Sequence, residues 1–238
     1  MLSVGVRTYR GGMKVILVPG FWLGAWSWDE IVPTLEAAGH DVTVLTLPGT
    51  EADAERHDIG LADHVAAIVR EVDAAVDPVA LVGSSFAGTL VQLAANERPA
   101  SIALAVYVDA LPKPVSAQPG TEPAGVEIAF SWDELTADEQ RDLTPEQRTD
   151  IERRAIPFPA QVVRDGWDLA DGRRHAVRSL IVATGFSAAD LEQWHTDYPQ
   201  VGAELDAHTD LTVVELPTSH WPHLTRPDEL AEILLGAI

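Results

Sequence analysis

The stretch that most constrains this chain is Leu81-Val82-Gly83-Ser84-Ser85-Phe86-Ala87-Gly88. An apolar, β-branched run (Val79, Leu81, Val82) leads into it, and a helix-compatible run from Thr89 to Ala95 leads out. A serine between small residues at such a junction has the form of a nucleophile elbow, a sharp strand-to-helix turn that lifts one hydroxyl above the end of a sheet. The turn brings its flanking backbones almost into contact, so both flanks must be small. Gly83 and Ala87 meet that requirement around Ser85, whereas centring the turn on Ser84 would put Val82 and Phe86 there. A bare G-x-S-x-A also describes an ordinary Gly/Ser turn; the strand before it and the helix after it favour the elbow. Ser85 is therefore the candidate nucleophile.

The rest of the chain supplies the sheet that such a turn needs. Met13–Val18 reads as a buried strand ended by Pro19-Gly20, and Asp41–Thr46 as a second. Between them Ser27 and Glu30 have capping-box spacing, which predicts a helix from Trp28 to Ala38 ended by Gly39. Strand, helix, strand is the βαβ unit of a parallel sheet. The alternation continues with a helix over 61–75, a strand over 79–83, a helix over 86–97 and a strand over 102–108. It resumes with a strand over 179–184, a helix over 190–198, a strand over 211–216 and a final helix over 228–235. Residues 1–12 read as a short extension.

Between Lys113 and about Ala176 the pattern breaks. Prolines and glycines cluster there, followed by acidic helix-like pieces over 131–139 and 144–154. Such an interruption reads as a lid or cap inserted into the alternation. The expectation is a single α/β domain over 1–238, with a mostly parallel sheet flanked by helices and a small helical cap over 113–176.

Composition removes several function classes. The chain of 238 residues has no cysteine, so disulfides, thiolate metal sites and cysteine nucleophiles are excluded. No histidine/carboxylate cluster has ligand spacing, so neither a metal nor a cofactor is expected. Its formal charge of −21 would repel nucleic acid and anionic lipid, so neither is expected as a partner. No apolar run approaches the roughly 18 residues that span a bilayer, and no signal-peptide pattern opens the chain. A cytoplasmic protein acting on a small molecule is the expectation, with a homodimer left open by the sequence.

A serine hydroxyl needs a base within hydrogen-bond reach. Of the eight histidines, His220 stands in the loop after the last strand, in the serine-before-histidine order this architecture uses. His223 is its close rival, although a packing role suits it as well. The third member must be a carboxylate at a strand end. Asp190 is late in the loop after Gly185 and could simply cap the following helix. Asp109 abruptly ends the buried run Ala103–Val108, which is costly unless the charge is paired, and it is preferred. Backbone N–H groups of Phe21 and Phe86 are the expected oxyanion donors. Of Trp22, Trp26 and Trp28, about one is expected to line an apolar pocket, the rest to pack.

These residues carry a family resemblance. Val15–Gly20, Gly24-Ala25-Trp26-Ser27-Trp28 and Leu47-Pro48-Gly49 resemble the opening of an α/β-hydrolase. The branch is the compact one of plant methylesterases, hydroxynitrile lyases and small bacterial esterases. Gly83–Gly88 resembles its nucleophile elbow, and Ser219-His220-Trp221-Pro222 with Arg226-Pro227 its histidine loop. The resemblance covers most of 13–112 and 178–238 and leaves the insertion unassigned. Several positions depart from the pattern. Pro19 replaces a histidine common in the family, and Trp221 stands where the cyanogenic lyases carry a lysine, which argues against cyanohydrin cleavage. A serine at 85 in place of an aspartate argues against dehalogenase and epoxide hydrolase chemistry. The absence of an aspartate soon after Gly185 moves the acid toward Asp109, as in members whose acid follows the earlier strand.

The sequence therefore points to a cofactor-independent serine hydrolase of small apolar carboxylic esters, lactones or thioesters, working through an acyl-enzyme on Ser85. The alternative keeps the fold and changes the role, to a lyase using His220 as a simple base or to a small-ligand-binding protein.

Overall fold

The apolar runs become strands because the chain can bury them on both faces at once. The computed structural model describes residues 12–238, so the extension expected over 1–12 lies outside the described residues apart from Gly12. The first half runs β1 (Lys14–Val18), α1 (Val32–Ala37), β2 (Asp41–Val44), α2 (Leu61–Asp73), β3 (Val79–Ser84), α3 (Ala87–Glu97) and β4 (Ile102–Val108). The inserted segment holds β5 (Ser116–Ala117), β6 (Glu127–Ile128), α4 (Pro145–Arg154), β7 (Phe158–Pro159), α5 (Ala160–Arg164) and β8 (Trp167–Asp168). The last part holds β9 (Ser179–Ala183), α6 (Ala188–Asp197), α7 (Pro199–Ala207), β10 (Leu211–Glu215), α8 (Pro222–Thr225) and α9 (Pro227–Ala237).

Six strands pair in the order β10-β9-β4-β3-β1-β2, every pairing parallel. Side chains alternate across the sheet, as a period of two requires. Ile16, Val18, Leu81, Tyr107 and Ile181 face α2 and α3, while Val15, Leu17, Val82, Val106 and Val182 face Trp28, Leu35, Leu230 and Leu234 of the opposite layer. A register shift at Val79/Ala80 lets β3 pair with Ile102 and then Leu104, so these two residues of β4 enter opposite layers. Each fully buried aliphatic side chain contributes roughly 1.5–3 kcal/mol, and the central strands are buried almost throughout. No helix among the described residues is long and apolar enough to cross a membrane.

The insertion adds no strand to this sheet. β5 pairs antiparallel with β8 and β6 with β7, forming two separate two-stranded pieces. Its main helix starts where the sequence places it, because Thr144 accepts from Gln147 N–H at 3.1 Å and Pro145 occupies the first turn.

Several helices differ from expectation: the piece over 131–139 forms only a 3-10 turn at Trp132–Glu134, and the short α5 and α8 are not among the elements read from sequence. The helix predicted from Trp28 begins only at Val32, since Pro33 has no N–H and fits only the first turn. Ser27 does not cap it; its hydroxyl donates to Gly24 O at 2.9 Å and closes a 3-10 turn over Ala25–Trp28. Helix α7 has no counterpart among the elements read from sequence; it starts at Pro199, two residues after α6 ends at Asp197.

The elbow depends on Gly83. A Cβ there would lie 2.6 Å from the carbonyl oxygen of Ala87 and 2.7 Å from Val91 Cγ2. Gly83→Ala is expected to destabilise the fold by about 1–3 kcal/mol through this overpacking. Urea denaturation checks it, as a lower midpoint at unchanged slope.

Candidate active site

Strand β3 ends in buried Ser84, and the chain turns sharply at Ser85, whose φ is +56°. Trp22 after β1 (φ +64°), Asp109 after β4 (φ +43°) and Asp142 in the insertion (φ +63°) are the other non-glycine residues in this region of backbone space among the described residues. Trp22, Ser85 and Asp109 each follow the carboxyl end of a parallel strand, where open α/β sheets bind ligands. Strain of about 1–3 kcal/mol per residue, concentrated at one end of a sheet, points to function there.

The three side chains named from sequence come together. His220 Nε2 lies 2.7 Å from Ser85 Oγ, and His220 Nδ1 lies 2.5 Å from Asp109 Oδ2. The imidazole is 14% exposed and the carboxylate 6%. An ionised carboxylate only accepts, so Nδ1 carries the ring proton and Nε2 is free to accept from the serine hydroxyl. The other oxygen of Asp109 accepts the N–H groups of Thr184 at 3.1 Å and Gly185 at 2.8 Å. Burial pushes the Asp109 carboxyl upward, but His220 and the donors of Gly185 and Thr184 outweigh it and hold the group below its ordinary value.

The rival residues have other roles. Asp190 sits in the first turn of α6 and accepts from Ser187 N–H at 2.8 Å and Ser187 Oγ at 2.7 Å, the reciprocal half of a capping box. Asp190→Ala is expected to lower stability by about 0.5–1 kcal/mol and leave turnover unchanged, compared by melting and by initial rates. His223 is fully buried and stacks on Trp28 with centroids 4.8 Å apart. Burial, followed by the proximity of His220, pushes its pKa down to about 3, so it stays neutral.

The β1 loop passes directly against the elbow, since a Cβ on Gly20 would lie 3.1 Å from Ser85 Cβ. Phe21 and Phe86 stack with centroids 4.7 Å apart, and neither of their N–H groups has an acceptor among the described residues. A cavity of about 350 Å³ is lined by Ser85 and His220 together with Phe21, Trp22, Leu135 and Trp221. Of the three tryptophans considered, Trp22 lines it. Trp28 packs in the core, and Trp26 carries the Arg154 guanidinium 4.3 Å above its ring. The insertion supplies Pro123, Ile128, Glu134, Glu139 and Val163 to the same cavity. It is fastened there by Trp22 Nε1 donating to Ile128 O at 3.1 Å and Ile156 N–H donating to Trp22 O at 2.9 Å.

One cluster with metal-ligand chemistry was not legible in the sequence. His175, Glu204 and His208 place donor atoms within 4.8 Å of one another. Arg174, fully buried, occupies both Glu204 oxygens, with Nε at 2.8 Å and Nη2 at 2.5 Å. A divalent cation would share that carboxylate with a buried guanidinium, so the donor set fits an internal ion pair and not a metal. Burial pushes the Glu204 carboxyl up, but the His208 ring and the Arg174 guanidinium outweigh it and bring the pKa down to about 2. A depressed carboxylate stabilises the fold above its ordinary value near 4.5, and the contribution is lost as pH falls toward about 2. Glu204→Gln is expected to cost about 3–5 kcal/mol at pH 7 by leaving Arg174 unpaired, with the deficit shrinking below about pH 4. Urea midpoints of both proteins at the two pH values test this.

A family model described as the alpha/beta hydrolase family matches residues 15–233. Methylesterase 3 of Arabidopsis thaliana is 29% identical over 133 residues, which is 54% of this chain and 47% of that protein. Polyneuridine aldehyde esterase of Rauvolfia serpentina is 38% identical over 100 residues, 40% of this chain and 38% of that protein. The matched stretch thus spans less than half the length of these curated relatives. Among solved structures, an extracellular alpha/beta-hydrolase from a Paenibacillus species superposes with a TM-score of 0.74 at 19% identity, covering 94% of this chain and 98% of that one. Polyneuridine aldehyde esterase superposes with a TM-score of 0.72 at 19% identity, covering 95% and 99%. With its six-stranded parallel sheet and a family match running from β1 into α9, the chain belongs to the alpha/beta hydrolase family.

Proposed function

We propose that the protein is a serine hydrolase of small apolar carboxylic esters. The observation that carries this reading is the unbroken hydrogen-bond chain from Ser85 Oγ through His220 to Asp109, opening on a cavity walled by Phe21, Trp22, Leu135 and Trp221. His220 takes the proton of Ser85 as the hydroxyl oxygen attacks the ester carbonyl. The N–H groups of Phe21 and Phe86 hold the oxyanion that forms. Collapse of the tetrahedral intermediate breaks the acyl C–O bond, and the proton on His220 passes to the departing alcohol. Water, deprotonated by the same imidazole, then releases the acid from Ser85. Asp109 fixes the tautomer and stabilises the imidazolium. The 113–176 insertion acts as a cap that excludes bulk water and walls the acyl pocket. Relatives named as a methylesterase and an aldehyde esterase support ester cleavage, and lactones or thioesters would pass through the same steps.

Two carboxylates, Glu134 and Glu139, line the cavity, and no lysine or arginine among the described residues does. A neutral acyl group therefore suits it better than an anionic one. The p-nitrophenyl esters of acetate and butyrate are expected to exceed the hydrogen succinate ester in kcat/KM by about 10–100-fold, from like-charge repulsion. Equal rates for the three, or none above that of a Ser85→Ala control, would contradict the reading.

A further inference from the structure

A short piece of the insertion, Glu139–Asp142, grips both loops on which the proposed triad depends. Arg141 Nε donates to Thr218 O at 2.7 Å, two residues before His220. Its Nη2 donates to Thr184 O at 2.5 Å, in the loop that clamps Asp109. Thr184 C=O and Gly185 N–H belong to one peptide group, and that N–H is the 2.8 Å donor to Asp109 Oδ1. A guanidinium on the carbonyl side polarises the group and strengthens the hydrogen bond on its other side. The neighbouring residues reinforce the grip. Glu139 O accepts the backbone N–H of His220 at 3.0 Å, and Asp142 Oδ2 accepts from Thr218 Oγ1 at 3.0 Å. Asp142 does so from a left-handed backbone (φ +63°), a cost that favourable contacts must offset.

We propose that Arg141 is a positioning residue, which bridges the Asp109 and His220 loops from the insertion so that seating the insertion and aligning the triad are one event. This rests on the hydrolase reading above. The guanidinium suits the task because it is planar and permanently charged, with donors fixed far enough apart to reach two carbonyls. A lysine ammonium keeps the charge but carries all its donors on one nitrogen, so it does not reproduce the fixed two-nitrogen spacing of the fork.

The test uses Arg141→Met and Arg141→Lys, with Thr144→Ala as the control. Thr144 caps α4 in the same segment, and its hydrogen bonds run to Gln147 and Arg148 of that helix, so its substitution removes a cap and leaves the bridge in place. Both Arg141 variants are expected to lower kcat on p-nitrophenyl acetate by about 10–100-fold, the scale of a small misplacement of reacting groups, with KM within about threefold. Both are also expected to shift or broaden the low-field NMR resonance of the His220 Nδ1 proton, while Thr144→Ala leaves kcat and the resonance in place. Turnover within about twofold of wild type in Arg141→Met, full recovery in Arg141→Lys, or an equal loss in Thr144→Ala would each overturn the proposal. If Arg141→Met does not fold, Arg141→Lys decides alone. If wild-type turnover does not exceed that of Ser85→Ala, the hydrolase reading has failed, and the resonance then decides the alignment question. Its change in the Arg141 variants alone supports the bridge, and its persistence overturns it.

Discussion

Ser85→Ala is expected to lower turnover of a short p-nitrophenyl ester by on the order of a millionfold while leaving the protein folded. On the proposed mechanism the effect is large because the substitution removes the atom that would form the acyl bond. It also leaves His220 Nε2 without the hydroxyl 2.7 Å away, so the imidazole has no proton to take. Stability separates this loss from unfolding. Serine and alanine both bear a Cβ at φ +56°, so the strain of the elbow persists in Ser85→Ala. Ser85→Gly relieves it and is expected to be about 1 kcal/mol more stable than Ser85→Ala, visible as about 2–4 °C in Tm, and equally inactive. An inactive but more stable glycine variant is what a strained nucleophile turn implies.

Asp109→Asn is expected to cost on the order of ten-thousandfold in kcat. The surroundings of Asp109 dictate how. Thr184 and Gly185 both direct N–H groups at Oδ1, so an asparagine keeps its carbonyl oxygen at that position. Its NH₂ then faces His220 Nδ1, which becomes the acceptor, and the ring proton moves to Nε2. In that tautomer the imidazole cannot accept from Ser85. Asparagine tolerates φ +43° as aspartate does, so the fold survives and the defect is chemical. Parallel assays of Asp190→Asn are expected to match wild type, because that carboxylate serves Ser187 at a helix start.

How far such a site is legible in a sequence depends on what fixes each part. The elbow is local: Gly83 and Ala87 are small because the turn leaves no room, and that requirement is written at fixed spacing. Asp109 was legible because a charge that ends a buried strand needs a partner, even though the partner is distant in the chain. The placing of β1, β3, β4 and β9 follows from apolar runs that a parallel sheet buries on both faces, whereas the edge strand β10 is only partly buried and rests on its β-branched run. The start of α1 is obscured in the sequence because Ser27 and Glu30 imitate a capping box, while Pro33 decides where the helix can begin. Helix α7 and the Arg174–Glu204 ion pair leave no periodic signature strong enough to read. The grip of Arg141 on Thr184 and Thr218 was invisible for another reason. Its acceptors are backbone carbonyls, which every residue offers, so only the folded path of the insertion selects them.

The most direct test of the central claim is active-site labelling with a fluorophosphonate, followed by mass spectrometry of the intact chain and of its peptides. A nucleophile made by Ser85, His220 and Asp109 is expected to take one phosphonyl group per chain, on Ser85. Labelling should vanish in Ser85→Ala and slow sharply in Asp109→Asn. Label on Ser84 or on a residue outside the elbow, or an unlabelled wild-type chain, would contradict it.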